Sequence, residues 1–508
     1  MTEITKSITY LKEYRELKDA LEKGKTPALA VGLSAIHKAH LAAALGLDTG
    51  RPVLVLTDDD SAAARFSADL QGFAEKNVLQ LPARDLVMVD VVGVSRGYEQ
   101  KRLAVLDALP GAWFAVASVQ AALQRTLPPA ALESAVVTIA AGEQAPLEGL
   151  TQQLTRAGYE RCIQVEGTGQ FSVRGGILDV FPPQAENPYR VEFWDDEVDS
   201  IATFDVGSQR RLEQVEALRC LPCMETLPHL APGGVDGLAR AVRGTLSTRR
   251  KKHAELKANI ERDAERLEQT GGLPAADKYL PLVYPEMATA LDYLPENTIV
   301  LIEDTPRLRD AARDFLARIG DDVTALLERG EMPPGLDGYA LDFAGLSRVP
   351  RTILRLDTFL NNVPELAPQH LENFMANQMN AYGGNLDMAA ADIRSYTEQG
   401  RAVAVVCGSA LRCRNMCDAL TDAGIKAEVS GLLPRAGHVT VLEGTLSAGF
   451  EYPDLGLVVI TEGQVLARRK KTAPKKSNRD RVKSFTDLTP GDLVVHEHHG
   501  IGRFVGME

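Results

Sequence analysis

Two rhythms of apolar residues alternate along the chain. In PVLVLT (52–57), AWFAVASV (112–119), TIVLIED (298–304), AVAVVCG (402–408) and LGLVVITE (455–462) nearly every position is apolar, which predicts strands buried on both faces. Helical spacing fills the intervals, as in AAARFSADLQGFAE (62–75) and ALRCRNMCDALTDAG (410–424). Strands alternating with helices predict α/β units around parallel sheets. Residues 136–222 break this rhythm, because FSVRGGILDVFPP and YRVEFWDDEVDSIATFD alternate at period two. That stretch predicts a mainly antiparallel α+β insert. One long charged helix is predicted over roughly 236–268. Near the end, Leu493–Val495 reads as a strand, His499–Gly502 as a turn and Arg503–Val505 as the start of a second strand. These are the opening strands of a small β-barrel. The text stops inside that unit at Glu508, so the chain is expected to be part of something longer. Two strands alone are expected not to hold a barrel together.

Composition narrows the function classes. The 508 residues are 45% hydrophobic and 25% charged, which suits several globular domains and excludes a disordered chain. Six cysteines are too few for a disulfide framework. No apolar run reaches the ~20 residues of a membrane helix, and MTEITKSITYLKEYRELKDALEKG has no apolar signal core. A cytoplasmic protein with no membrane partner is expected. The net charge of −13 argues against coating nucleic acid by bulk charge. Yet RRKKTAPKKSNRDRVK (468–483) carries a local +8, leaving −21 elsewhere. With almost no apolar residues it reads as a basic linker, able at most to rest weakly on DNA or an acidic surface.

A first strand running into a glycine turn invites a search for a phosphate loop. Aligned on Lys38, AVGLSAIHKAHLAAAL (30–45) supplies Gly32 and Lys38 but places His37 where glycine is needed and Ala39 where a hydroxyl would hold Mg²⁺. This is a degenerate phosphate loop, no ATP is expected there, and Lys38 is expected to be dispensable. Cys220 and Cys223 form a C-x-x-C without a second pair nearby, so they read as buried small residues rather than zinc ligands. His496 and His498 share a strand face but lack a third ligand. No metal and no catalytic residue are expected.

Residues 167–216, GTGQFSVRGGILDVFPPQAENPYRVEFWDDEVDSIATFDVGSQRRLEQVE, resemble the second domain shared by the excision-repair helicase UvrB and the transcription-repair coupling factors. LPARDLVMVDVVGVSRGYEQKRLAVLDAL (81–109), LSAGFEYPDLGLVVITEGQVLARR (446–469) and GDLVVHEHHGIGRFVGME (491–508) resemble further parts of the coupling factors, in the same order. The chain is thus identified as similar to the N-terminal part of that family. It departs from UvrB in the broken phosphate loop and in having one aromatic, Tyr98, where UvrB carries a Tyr-rich DNA-threading hairpin.

The resemblance implies a degenerate helicase-type α/β domain (1–135) and an inserted UvrA-binding domain (136–222). A second part of the α/β domain (223–358), a small α/β domain (370–466), the basic linker (467–487) and the start of an RNA polymerase-interacting domain (488–508) would follow. It also implies that Arg174, Arg190 and Trp194 bind UvrA, and that Ile501, Arg503, Phe504 and Val505 form part of a surface for the RNA polymerase β subunit. Alternation along 189–194 puts Val191 and Phe193 on one face and Arg190, Glu192 and Trp194 on the other. An exposed Trp beside an Arg suits a binding hot spot. The alternative pairs Arg190 with Glu192 or Asp195 and packs Trp194 under a loop. ATP and Mg would belong to the family's motor, which this stretch does not contain. A non-catalytic adaptor for transcription-coupled excision repair is the leading expectation. Its rivals are an active helicase-like ATPase, on the strength of Lys38, and a direct binder of damaged DNA, on the strength of the linker.

Overall fold

The structure, a computed structural model of the chain, describes residues 2–90, 96–246, 254–349, 351–379, 381–465, 493–496 and 500–503. Its largest sheet has seven parallel strands, in the order His370–Asn373, Ala28–Val31, Thr352–Leu356, Ile299–Glu303, Val53–Thr57, Phe114–Ser118 and Val78–Leu81. Strands from residues 28–118 and from residues 299–356 therefore build one sheet. Because side chains alternate across a strand, Leu54 and Leu56 enter one core while Val53 and Val55 enter the other. Helices Ala35–Thr49 and Asp60–Ala74 contribute to the second core, and Gly97–Ala108 and Thr305–Glu328 to the first. His370–Asn373, expected to open the small α/β domain, is instead the edge strand of this sheet, paired with Ala28–Val31.

Residues 137–220 leave this sheet and return to it. Val137–Ala140 pairs antiparallel with Ala217–Cys220, so the two ends of the insert close on each other. Between them six strands run in the order Arg211–Val215, Glu197–Phe204, Tyr189–Trp194, Ile177–Val180, Gln170–Arg174 and Glu160–Arg161. All pairs are antiparallel except the last. Phe171, Leu178, Val191, Val198 and Ile201 bury one face against helix Leu147–Arg156.

A third sheet has the order Asn377–Gln378, Phe450–Tyr452, Leu457–Thr461, Ala402–Cys407, Val439–Glu443 and Ala427–Val429, with four parallel strands from Leu457–Thr461 onwards. Its Phe450, Tyr452 and Val406 share a core with Ile36, Leu41 and Phe73 of the first unit. The small sheet is therefore joined to the larger one through apolar packing.

Two further expectations need correction. The charged stretch is not one helix: Arg243 in Gly234–Gly244 pairs with both Glu261 and Glu268 in Ala254–Thr270. Residues that far apart lie roughly 25–40 Å apart along a straight helix at ~1.5 Å per residue, so the two helices pack side by side. At the end of the chain Leu493–His496 pairs antiparallel with Gly500–Arg503. Gly500-Ile501-Gly502, expected as a turn, is strand. The basic segment 468–483, His498, Phe504 and Val505 lie outside the described residues, as do the side chains of His496, Ile501 and Arg503.

Candidate partner-binding site

The outer face of the insert carries the predicted contact residues. In the antiparallel register Asp179 stands opposite both Ser172 and Arg190, and Ile177 stands opposite both Arg174 and Glu192. Ser172, Arg174, Ile177, Asp179, Arg190, Glu192 and Trp194 thus share one face. Asp179 is only 1% exposed, and its carboxylate takes both arginines. Arg190 binds it through two nitrogens, Nε–Oδ1 at 2.7 Å and Nη2–Oδ2 at 2.8 Å. Arg174 reaches Oδ2 at 2.6 Å through Nη2. The Arg190 guanidinium also lies 4.6 Å from the centre of the buried Phe204 ring. Its hydrogen bonds to Asp179 raise its pKa further. Its expected partners, Glu192 or Asp195, are not the ones it uses: Glu192 accepts from Ser200 and faces Arg211.

Trp194 ends its strand at a tight turn in which Asp195 has φ 56°. It is 81% exposed, so it is not packed under a loop. Arg174, one residue before Gly175 with φ 60°, has a side chain 49% exposed, against 16% for Arg190. The face therefore presents a bare indole and a half-free guanidinium, with Arg190 set beneath them.

The degenerate phosphate loop is filled by protein. Gly32 has φ 81°, and a Cβ there would sit 2.2 Å from the Phe374 carbonyl oxygen. His37 is buried edge-on between Phe450 and Tyr452, with ring centres at 5.4 and 5.1 Å. Its Nδ1 lies 2.8 Å from Ser34 Oγ, and Nε2 has no hydrogen-bond partner among the described residues. Burial pushes its pKa down to about 3. Ala39 is buried and offers no oxygen to a metal. The residues present do not fit a nucleotide with Mg²⁺. Lys38, expected to be idle, is buried 3.8 Å from Glu303. Burial raises the Glu303 pKa and Lys38 opposes that rise, so the lysine neutralises a carboxylate rather than a phosphate.

A charged cluster at the base of the insert escaped the sequence reading. Arg84 meets Asp277 at 2.6 Å and Glu225 at 2.9 Å, and Arg102 meets Glu225 at 3.1 Å. Glu99 accepts the Glu225 backbone N–H at 2.7 Å. All five side chains are buried. Burial works to raise the Asp277 carboxyl, but Arg84 beside it holds it below its usual value. The cluster ties Arg84, Glu99 and Arg102 to the exit of the insert at Glu225 and to the segment at Asp277. The available signal was a set of charged residues embedded among apolar ones, which does not identify partners.

Cys220 and Cys223 are buried and free, and burial pushes Cys220 up to about 12. Among the described residues no group of three His, Cys, Asp or Glu side chains is placed to hold a metal, and no helix is long and apolar enough to cross a membrane.

Comparison with known proteins bears on the same regions. Residues 137–225 match the UvrB interaction domain family, and residues 488–508 match the CarD-like/TRCF RID domain family. A transcription-repair-coupling factor of Bacillus subtilis (strain 168) is 30% identical over 521 residues, covering 98% of this chain and 44% of the relative. Proteins of the same name from Staphylococcus aureus (strain MRSA252) and Staphylococcus epidermidis (strain ATCC 12228) are 25% and 26% identical, covering 98% and 96% of the chain. The chain spans 44% of the length of the first two of these relatives and 42% of the third.

Proposed function

We propose that this chain, which matches a transcription-repair-coupling factor along 98% of its own length and 44% of the relative's, is a non-catalytic adaptor in transcription-coupled nucleotide excision repair. In this reading the insert recruits UvrA through the face that carries Arg174, Arg190 and Trp194. The α/β body beneath it is a UvrB-like scaffold that neither binds nor hydrolyses ATP. The observation that carries the reading is the outward face of the insert, where an 81% exposed Trp194 stands among arginines fixed on a buried carboxylate. Large aromatic and guanidinium groups of this kind dominate protein interfaces. An active ATPase is disfavoured by the protein groups that occupy the phosphate loop.

The remaining parts of the proposal follow from the family. Ile501, Arg503, Phe504 and Val505 would contribute to a contact with the RNA polymerase β subunit. The basic segment 468–483 would add weak, salt-sensitive contact with DNA. In the whole protein, ATP and Mg²⁺ would drive a separate translocase motor that displaces stalled polymerase, and the protein would act in the cytoplasm.

The test is titration of cognate UvrA onto the whole chain. Trp194→Ala is expected to weaken binding by about 2 kcal/mol while leaving thermal unfolding unchanged, because the side chain buries little in the fold. Arg174→Glu is expected to weaken it more than Arg174→Ala, since it adds a repulsive charge at the interface. Wild-type affinity in Trp194→Ala, or a loss of binding that tracks a loss of folding, would refute the assignment.

A further inference from the structure

Resting on that reading, we propose that Asp179 is the positioning residue of the partner-binding face, and that Arg190 serves the partner through Asp179 rather than by touching it. Arg190 has little left to offer a partner. Two of its nitrogens hold the two Asp179 oxygens, its Nη1 and Nη2 also reach Gln209 at 3.5 and 3.4 Å, and its plane rests on Phe204. Its role is to fix the carboxylate. Arg174 is the opposite case: one nitrogen is tied to Asp179 and about half of the side chain faces solvent.

The charge balance points the same way. Two guanidinium groups share one carboxylate, so the cluster carries one surplus positive charge, and the more exposed cation is Arg174. A planar guanidinium with one edge anchored can offer another edge to a second carboxylate. The partner group is therefore an acidic side chain, received by Arg174 close to the pocket that takes Trp194. The sheet register supports this neighbourhood. Arg174 pairs with Ile177, Ile177 pairs with Glu192, and Trp194 lies two residues further along the same face. Without Asp179, two like charges would stand side by side with nothing to set their spacing. Arg174 would then return to the many rotamers of an exposed arginine.

A double-mutant cycle separates positioning from mere support of the fold. The affinity of the whole chain for cognate UvrA is measured for wild type, Asp179→Asn, Arg174→Ala and the pair, with circular dichroism on each. Asp179→Asn keeps the side-chain volume and removes the charge. It is expected to weaken binding about tenfold in the wild-type background and less than about twofold with Arg174→Ala, because the residue it acts through is already gone. An equal loss in both backgrounds, or no loss in either, overturns the inference. Should Asp179→Asn not fold, Arg190→Lys takes its place in the same cycle. It keeps a charge but loses the two-nitrogen grip, and the same two results decide. A wild-type chain that does not bind UvrA overturns the underlying reading, an outcome distinct from wild-type binding with a flat cycle.

Discussion

Acid should weaken the apolar core that joins the first sheet to the third. His40 is fully buried, stacked at 4.6 Å on Phe73 and flanked by Phe450 and Tyr452. Its Nε2 lies 3.0 Å from the carbonyl oxygens of Ile4 and Thr5, which can only accept, so Nε2 carries the proton. Nδ1 then accepts from Tyr452 Oη at 3.1 Å. The ring is neutral, no carboxylate faces it among the described residues, and its one charged-state neighbour of note is His37. Burial pushes both rings from 6.5 down to about 3. A base with a depressed folded pKa favours the fold only while neutral. The contribution is intact above pH 6.5 and is lost as pH falls towards 3. At pH 5 each ring has moved about 1.5 units below its unfolded pKa, a loss of about 2 kcal/mol at 1.36 kcal/mol per unit, or about 4 kcal/mol for the pair. Asp69 and Glu303, both raised chiefly by burial, contribute with the opposite sign. The assay must therefore compare variants rather than read one curve. Urea unfolding followed by circular dichroism at pH 7, 6 and 5 should show wild type losing about 4 kcal/mol more than His37→Gln/His40→Gln, with each single variant near half of that. Parallel stability curves for wild type and the double variant would refute the argument.

Two further substitutions probe the filled phosphate loop. Lys38→Ala should destabilise the fold by about 2 kcal/mol, because Glu303, partly exposed and 3.8 Å from the lysine, is left without its cation. Calorimetry of the wild-type chain with Mg·ATP should show no binding, and a dissociation constant at or below ~100 μM, about −5.5 kcal/mol, would overturn the assignment. Gly32→Ala should also cost about 2 kcal/mol, since it meets both a φ of 81° and the Phe374 carbonyl. Wild-type resistance of that variant to proteolysis around residues 374–385 would show that the joint tolerates it.

The sequence made the strands legible where their chemistry was local. A run such as PVLVLT cannot be solvated on either face, and it lies inside the parallel sheet, between Ile299–Glu303 and Phe114–Ser118. Alternation along 189–194 was enough to turn Trp194 outward, and the defect at His37 and Ala39 was visible from side-chain chemistry alone. What stayed hidden depends on register and on distant contacts. Nothing near Arg190 announces that its carboxylate lies eleven residues earlier, because that pairing exists only once two strands align Asp179 with Arg190. The same holds for Arg84 and Asp277, 193 residues apart. The charged stretch at 236–268 read as one helix because polar helical spacing does not reveal a reversal. The pairing of Arg243 with Glu261 and Glu268 does.

On the proposed reading, the filled loop and the buried charge cluster suit this body to an adaptor. A nucleotide-driven sheet needs a loop that opens and closes around phosphate, and a neighbouring unit free to move in response. Here Gly32 backs onto Phe374, His37 lies between Phe450 and Tyr452, and Asp69 accepts both the backbone N–H and the hydroxyl of Ser447 at 2.7 Å. Opening that joint would expose aromatic surface and break both Asp69–Ser447 hydrogen bonds at once. The base of the insert is fixed in the same manner. Separating Arg84 from Asp277 or Arg102 from Glu225 would leave charges buried and unpaired, at about 3–5 kcal/mol each. A rigid base keeps the arginines and the indole in one arrangement before any partner arrives, which lowers the ordering cost of association. On the proposed reading, the residues that fill the phosphate loop and the residues that anchor the outer face of the insert serve the same end.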